Sequence, residues 1–282
     1  MKLTENLLLE QKACEIRVDI IKSLSAASSG HSGGSLDITD ILTALYFNIM
    51  NHKPANPQWA DRDRLILSIG HVAPALYANL AHSGYFPIEE LLTLRKFGSR
   101  LQGHPGKDHN LPGLELSAGS LGQGLSVAVG LALAGKIDNK TYRVYCINGD
   151  GELQEGSIWE AAMSAAHYKL DNLTAIVDRN KLQIDGKVSD VMEIEPLADK
   201  WTAFGWNVLI INGHNFTEII DAFLKAITHK NQPTVIIANT IMGKGVKSIE
   251  NDYRWHGKAP SPTEALQFIS EIENSFNNNK TP

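Results

Sequence analysis

The sequence is informative first through what it has little of. Two cysteines, Cys14 and Cys146, occur in 282 residues. They stand far apart and match no metal or redox spacing, which excludes disulfide scaffolds and zinc fingers and predicts reduced core thiols. No apolar run reaches the roughly 20 residues of a membrane-spanning helix. The longest, Leu121 to Ala134, is short and interrupted by glycine. Met1-Lys2-Leu3 leads into Thr4-Glu5-Asn6 rather than into an apolar segment, so no secretory leader is expected. Basic residues are not in excess. Twenty-six Lys and Arg face 31 Asp and Glu, a net charge of -5, which argues against nucleic acid, whose binding needs clustered cations. The expectation is a soluble, cytoplasmic protein with no nucleic-acid or membrane partner. Any anionic ligand must be held by local devices.

What is present is globular. Apolar residues make up 43% and charged residues 20%, close to the average of folded domains. A broad apolar stripe (Leu7, Ala13, Cys14, Ile16, Val18, Ile20, Ile21, Leu24) predicts a long first helix stopped by Gly30. A Gly/Ser/His loop follows over 28–35, then a helix from Asp37 to just before Asn51. Strands are predicted at 64–68, 143–148, 173–178, 207–212 and 233–239, and further helices at 73–82, 152–168, 216–228 and 262–276. The stretch 98–120 holds five Gly, two Pro and two His; a loop this long in a compact chain is usually functional or disordered. Continuous apolar strands alternating with helices predict a doubly wound, mostly parallel α/β sheet covered on both faces. No repeat or linker marks a boundary. A single domain over 1–282 is expected, with a C-terminal helix and polar tail at 262–282.

Asn148-Gly149-Asp150-Gly151 directly follows the strand at 143–148, and ligands in open parallel sheets bind at the carboxyl ends of strands. A helix starting at Glu152 would aim unpaired N–H groups at the same spot. One strand later comes Asp178-Arg179-Asn180-Lys181-Leu182. An Asp carboxylate, an Asn amide oxygen and a backbone carbonyl are hard donors suited to Mg²⁺ or Ca²⁺. A helix N-terminus contributes about 0.3–1 kcal/mol to an anion, whereas a close unit-charge contact at an effective dielectric near 20 is worth roughly 4 kcal/mol before desolvation. A divalent metal must therefore dominate. The plain alternative is a strand-to-helix turn with an Asp N-cap.

Other glycine patterns fail. Gly130 to Lys136 resembles a P-loop, but Ile137 stands where Ser or Thr is needed, and the segment reads as helix core. Gln154 occupies the third-glycine position of a dinucleotide fingerprint. Neither ATP nor NAD is supported. A lone His is more often structural than catalytic, but His31, His71, His104 and His256 each lie in a glycine-containing loop, where imidazoles can handle the protons of a sugar. His52, His82, His109, His167, His214 and His229 lack that context and read as structural or surface.

Five stretches make the chain resemble the N-terminal, diphosphate-binding part of thiamine-diphosphate-dependent transketolases: SGHSGGSLDITDIL, DRDRLILSIGH, GHPG…LPGLELSAGSLGQGLSVAVG, GDGELQEGSIWEA…DRNKLQIDG and ENDYRWHGKAP. The resemblance runs nearly to Pro260. It implies that Asp150, the Asn180 side chain and the Leu182 carbonyl ligate Mg²⁺, with Ca²⁺ as the alternative. It implies that the Gly151 N–H and His71 contact the diphosphate, that Gly119 and Leu121 line the aminopyrimidine and thiazolium, and that Ile184 packs from the other side. His31 and His104 would hydrogen-bond the donor sugar, and His256 would face both diphosphate and substrate. Glu155 matches a carboxylate that links two active sites across a dimer. Ser32 and Ser120 depart from the family, which usually has Pro at the first position and often at the second.

In this family a separate pyrimidine-binding domain completes the site, and about twenty residues remain past Pro260. The resemblance therefore implies the first subunit of a split transketolase, active in an α2β2 assembly with a C-terminal partner. The reaction implied is transfer of a two-carbon ketol (glycolaldehyde) unit from a ketose to an aldose. Pentose or hexose phosphates are the default substrates, and a sulfo-ketose or branched sugar phosphate fits equally. The rival readings are half of a deoxyxylulose-phosphate synthase, the α chain of a 2-oxoacid dehydrogenase, and a non-catalytic cofactor-binding or assembly protein.

Overall fold

A computed structural model describes residues 2–279, so the last three residues of the expected polar tail lie outside the described region. The first helix, α1 (Asn6–Ala27), buries Leu9, Ala13, Ile16, Ile20, Ile21 and Leu24, the i, i+3, i+4 stripe of an element lying on a core. It stops at left-handed Ser28 (φ 51°), two residues before Gly30. Next come α2 (Gly33–Asp37) and α3 (Thr39–Ala44), which runs into one π-helical turn at Leu45–Ile49. The second helix thus begins inside the stretch read as loop. Gly33 and Gly34 permit this, because a Cβ on either would lie 2.7 Å from Met242 Cγ or 2.8 Å from Val72 Cγ1.

The chain continues through β1 (Arg64–Leu67), α4 (Ala73–His82), the long loop, α5 (Gly124–Ile137) and β2 (Val144–Gly149). It then forms α6 (Gly156–His167), β3 (Leu173–Arg179), the short strands β4 (Leu182–Gln183) and β5 (Gly186–Lys187), α7 (Val188–Val191) and α8 (Leu197–Ala203). It closes with β6 (Asn207–Asn212), α9 (Phe216–Thr228), β7 (Thr234–Asn239) and α10 (Pro262–Asn279). Five strands pair in the order β1-β2-β3-β7-β6, all parallel, and β4 and β5 make a separate antiparallel hairpin. Alternation along each strand divides the core between two faces. Tyr145, Ile147, Ile176 and Ile236 join α1, α3, α4 and α9 on one side. Val144, Cys146, Ala175, Val177 and Val235 join α5, α6 and α8 on the other. The doubly wound parallel fold is as expected.

Two expectations need correction. No continuous helix spans 152–168. A single 3₁₀ turn (Gly151–Gln154) is followed by extended Glu155 (φ -77°, ψ 129°), and only then by α6. The cause is the Glu152 carboxylate, which folds back onto donors at the sheet and holds the turn tight. The second correction is Gly130, which lies on α5 but on its exposed side with nothing within 4 Å of a Cβ. Leu125, Ala128, Val129, Ala132 and Gly135 are that helix's buried face. Cys146 is buried, Cys14 is partly buried, and the two are not bridged. No helix among the described residues is long and apolar enough to cross a membrane. At the far end, Trp255 is nearly buried between the Phe268 ring of α10 (5.0 Å between centroids) and the Lys258 ammonium (3.8 Å).

Candidate active site

Parallel pairing of β2 with β3 sets Gly149 opposite Asp178, so the two motifs leave the sheet side by side. Asp150 follows β2 and Asn180 follows β3. The Asp150 carboxylate is almost completely buried. Its Oδ1 accepts from Gly151 N (2.8 Å), and its Oδ2 from Lys181 N (2.6 Å) and Arg179 Nη1 (2.9 Å). Burial pushes its pKa up, and these donors oppose the shift. Asn180 donates from Nδ2 to Asp37 Oδ2 (2.9 Å) and accepts at Oδ1 from Leu182 N (2.9 Å). Behind it, Asp178 accepts from the Thr240 hydroxyl, and Asp37 Oδ1 has no partner among the described residues. Burial, together with the neighbouring carboxyl, raises Asp37 well above the usual carboxylate range; burial raises Asp178 to about 7.

The four loop histidines converge. Ring centroids of His31 lie 5.1 Å from His71, 6.2 Å from His104 and 5.7 Å from His256, and His71 and His256 are 5.0 Å apart. Burial is the main cause that lowers the pKa of all four, to about 4 for His31. At neutral pH each is an uncharged imidazole with one donor and one acceptor nitrogen. The buried Nδ1 atoms of His31 and His256 have no partner among the described residues, and buried polar atoms left so call for an unseen partner. Ser32 donates to the Lys258 carbonyl from both N (3.3 Å) and Oγ (2.6 Å), tying the His31 loop to the His256 segment.

These groups open onto one cleft of about 360 Å³. It brings together all twelve residues singled out in the sequence: besides those above, Gly119, Leu121, Gly151, Glu155, Leu182 and Ile184. Ile184 is exposed at the tip of the β4–β5 hairpin. The two glutamates of the GDGELQE segment are opposites. Glu152 is buried and saturated, accepting from Gly122 N (2.8 Å), Asn148 Nδ2 (3.0 Å), Gly149 N (3.2 Å) and the Ser68 hydroxyl. Glu155 is exposed on the cleft wall. Sequence reasoning missed Glu152, Asp37, Asp178 and Arg179. The signal available for Glu152, Asp178 and Arg179 was the charge crowded at two strand ends, Asp150, Glu152 and Glu155 after β2 and Asp178 and Arg179 at the end of β3, whereas Asp37 carried none.

Comparison with known proteins settles the family. Residues 9–272 match the family described as transketolase, thiamine diphosphate binding domain. The chain belongs to this family. It is 48% identical over 265 residues to the 6-deoxy-6-sulfo-D-fructose transketolase subunit of a Clostridium species, covering 94% of this chain and 96% of that one. It is 43% identical over 264 residues to one subunit of the apulose-4-phosphate transketolase of Phocaeicola vulgatus, covering 94% and 93%. Among solved structures, the Leishmania mexicana transketolase superposes with a TM-score of 0.89 at 31% identity, over 98% of this chain and 42% of that one. The chain thus spans less than half of that full-length transketolase.

The residues of this transketolase domain fit a diphosphate cofactor with its metal. Asp150, Asn180 and the Leu182 carbonyl are hard oxygen donors of the kind divalent cations take. The two unpartnered imidazole nitrogens point to a polar ligand in the same cleft. The Ser32 departure from the family is explained by its two bonds to Lys258, which proline could not donate. Ser120 is exposed at the rim.

Proposed function

We propose that this chain is the diphosphate-binding subunit of a two-subunit transketolase, moving a two-carbon ketol unit from a ketose to an aldose with thiamine diphosphate and Mg²⁺. The observation that carries the reading is the meeting, in one open cleft, of four neutral imidazoles with the hard-donor pair of Asp150 and Asn180. When bound, the cofactor supplies a nucleophilic carbon that takes up and releases the ketol unit. The chain's own residues do the rest. Asp150, Asn180 and Leu182 hold the cation, Gly151 and His71 hold the diphosphate, and Gly119, Leu121 and Ile184 orient the rings. His31 and His104 hydrogen-bond the sugar's hydroxyl and carbonyl oxygens, and His256, facing both diphosphate and substrate, assists proton transfer. Neutral imidazoles suit that work because each can donate and accept at once.

Two relatives matched nearly end to end are named as transketolase subunits, which supports a C-terminal partner that completes the site; the α2β2 assembly and the cytoplasmic setting belong to the same proposal and rest on the family resemblance. Their named substrates, 6-deoxy-6-sulfo-D-fructose and apulose 4-phosphate, favour a modified ketose over a pentose or hexose phosphate. The test is reconstitution. The chain alone should show no ketol transfer, and adding a C-terminal partner subunit should restore it. Asp150→Ala should lower the activity of the pair at least a hundredfold. Full activity from the chain alone would overturn the split-site reading.

A further inference from the structure

Asp150 is held in a way that decides how it can meet a cation. A carboxylate has about four lone-pair sites. Three of those on Asp150 are taken: Oδ2 receives both Lys181 N and Arg179 Nη1, and Oδ1 receives Gly151 N. The open site is on Oδ1. Two of the three donors are backbone, so among the described residues Arg179 is the one side chain that closes off Oδ2. Arg179 is itself fixed. It is the last residue of β3 and nearly buried, and its Nη2 donates to Glu195 Oε1 (2.7 Å). Glu195 Oε2 in turn accepts from Leu197 N (2.6 Å) at the start of α8. The planar guanidinium spans the two carboxylates, a bridge that a single ammonium cannot make.

We propose that Arg179 is a positioning residue that presents Asp150 to the metal through one oxygen and thereby selects a small octahedral cation over a larger one. The inference rests on the cofactor reading above. Mg²⁺ takes six ligands in near-ideal octahedral geometry, whereas Ca²⁺ takes six to eight and readily accepts bidentate carboxylates. Asn180 Oδ1 already receives Leu182 N, so it too offers one site. With the Leu182 carbonyl, the protein supplies three oxygens, leaving three positions for diphosphate and water. A second Asp150 oxygen becomes available only when Arg179 lets go, at the loss of a charge-assisted hydrogen bond, which corresponds to about tenfold or more in an equilibrium.

The experiment uses the full chain with inorganic pyrophosphate as the diphosphate probe and Mn²⁺ followed by paramagnetic resonance. Bound Mn²⁺ is displaced with Mg²⁺ or with Ca²⁺, and the ratio of displacing concentrations is compared among variants, which cancels the intrinsic affinities of pyrophosphate. Arg179→Met should shift the ratio toward Ca²⁺ by about tenfold relative to wild type, with Arg179→Lys and Glu195→Gln shifting it less in the same direction. A folded Arg179→Met chain with an unchanged ratio overturns the proposal. Should that variant fail to fold, an unchanged ratio in both Arg179→Lys and Glu195→Gln overturns it equally. Loss of stability alone would weaken both ions together and leave the ratio where it was. Absence of pyrophosphate-dependent Mn²⁺ binding in the wild type would instead overturn the cofactor reading, and this inference with it.

Discussion

His31 sits where burial, with the neighbouring imidazoles and the Arg95 guanidinium, holds its pKa at about 4, while in the unfolded chain it would titrate near 6.5. The unfolded state therefore takes up its proton first. Between pH 6.5 and 4 stability falls as the pH falls, and above 6.5 the penalty is gone. Comparing chemical denaturation midpoints of His31→Asn and wild type isolates this group from the oppositely shifted Asp37 and Asp178. The variant should gain on the wild type at pH 5 relative to pH 7, and an equal difference at both would contradict the burial argument. At this scale the sequence was partly legible. The loop histidines could be picked out because each has glycine beside it and no apolar periodicity around it. Glu152 could not, since two of its four donors, Ser68 and Gly122, lie 84 and 30 positions away, and the local pair, Asn148 and Gly149, does not by itself distinguish it from Glu155 in the sequence.

At the scale of elements, strands were the readable part, because parallel strands covered on both faces appear as unbroken apolar runs. Turns whose shape depends on distant side chains were not. The 3₁₀ turn at Gly151–Gln154 and the early start of α2 both follow from contacts across the sheet end rather than from propensity. Gly122 shows how tightly that end is built. It has φ +82°, a Cβ there would lie 2.7 Å from Glu155 Cβ, and its carbonyl accepts from the Ser157 hydroxyl (2.9 Å). Gly122→Ala should cost about 1–2 kcal/mol from the left-handed backbone and more from displacing Glu155. Thermal unfolding and thiamine diphosphate titration should report both losses. A variant with wild-type midpoint and affinity would mean that the loop relaxes freely.

Across the whole molecule, the sheet's carboxyl ends, the long glycine-rich loop and the segment before α10 gather at one edge, and the cleft they form is walled on one side by exposed residues such as Leu121 and Ile184. Fold class and layer arrangement followed from alternation of elements along the chain. The proposed partner that would complete the site rests on resemblance and on relatives named as subunits, since no count of strands or helices bears on it. Trp255, one position before the cleft residue His256 and packed against Phe268 and the Lys258 ammonium, gives the site a built-in optical reporter. Indole emission responds to a nearby charge and to water, and a ligand engaging His256 alters both. Titrating the chain with thiamine diphosphate and Mg²⁺ should therefore change its intrinsic fluorescence, and Trp255→Phe should remove that change while the four other tryptophans still emit. A response undiminished in Trp255→Phe would assign it elsewhere. Binding could then be followed without substrate, partner or label.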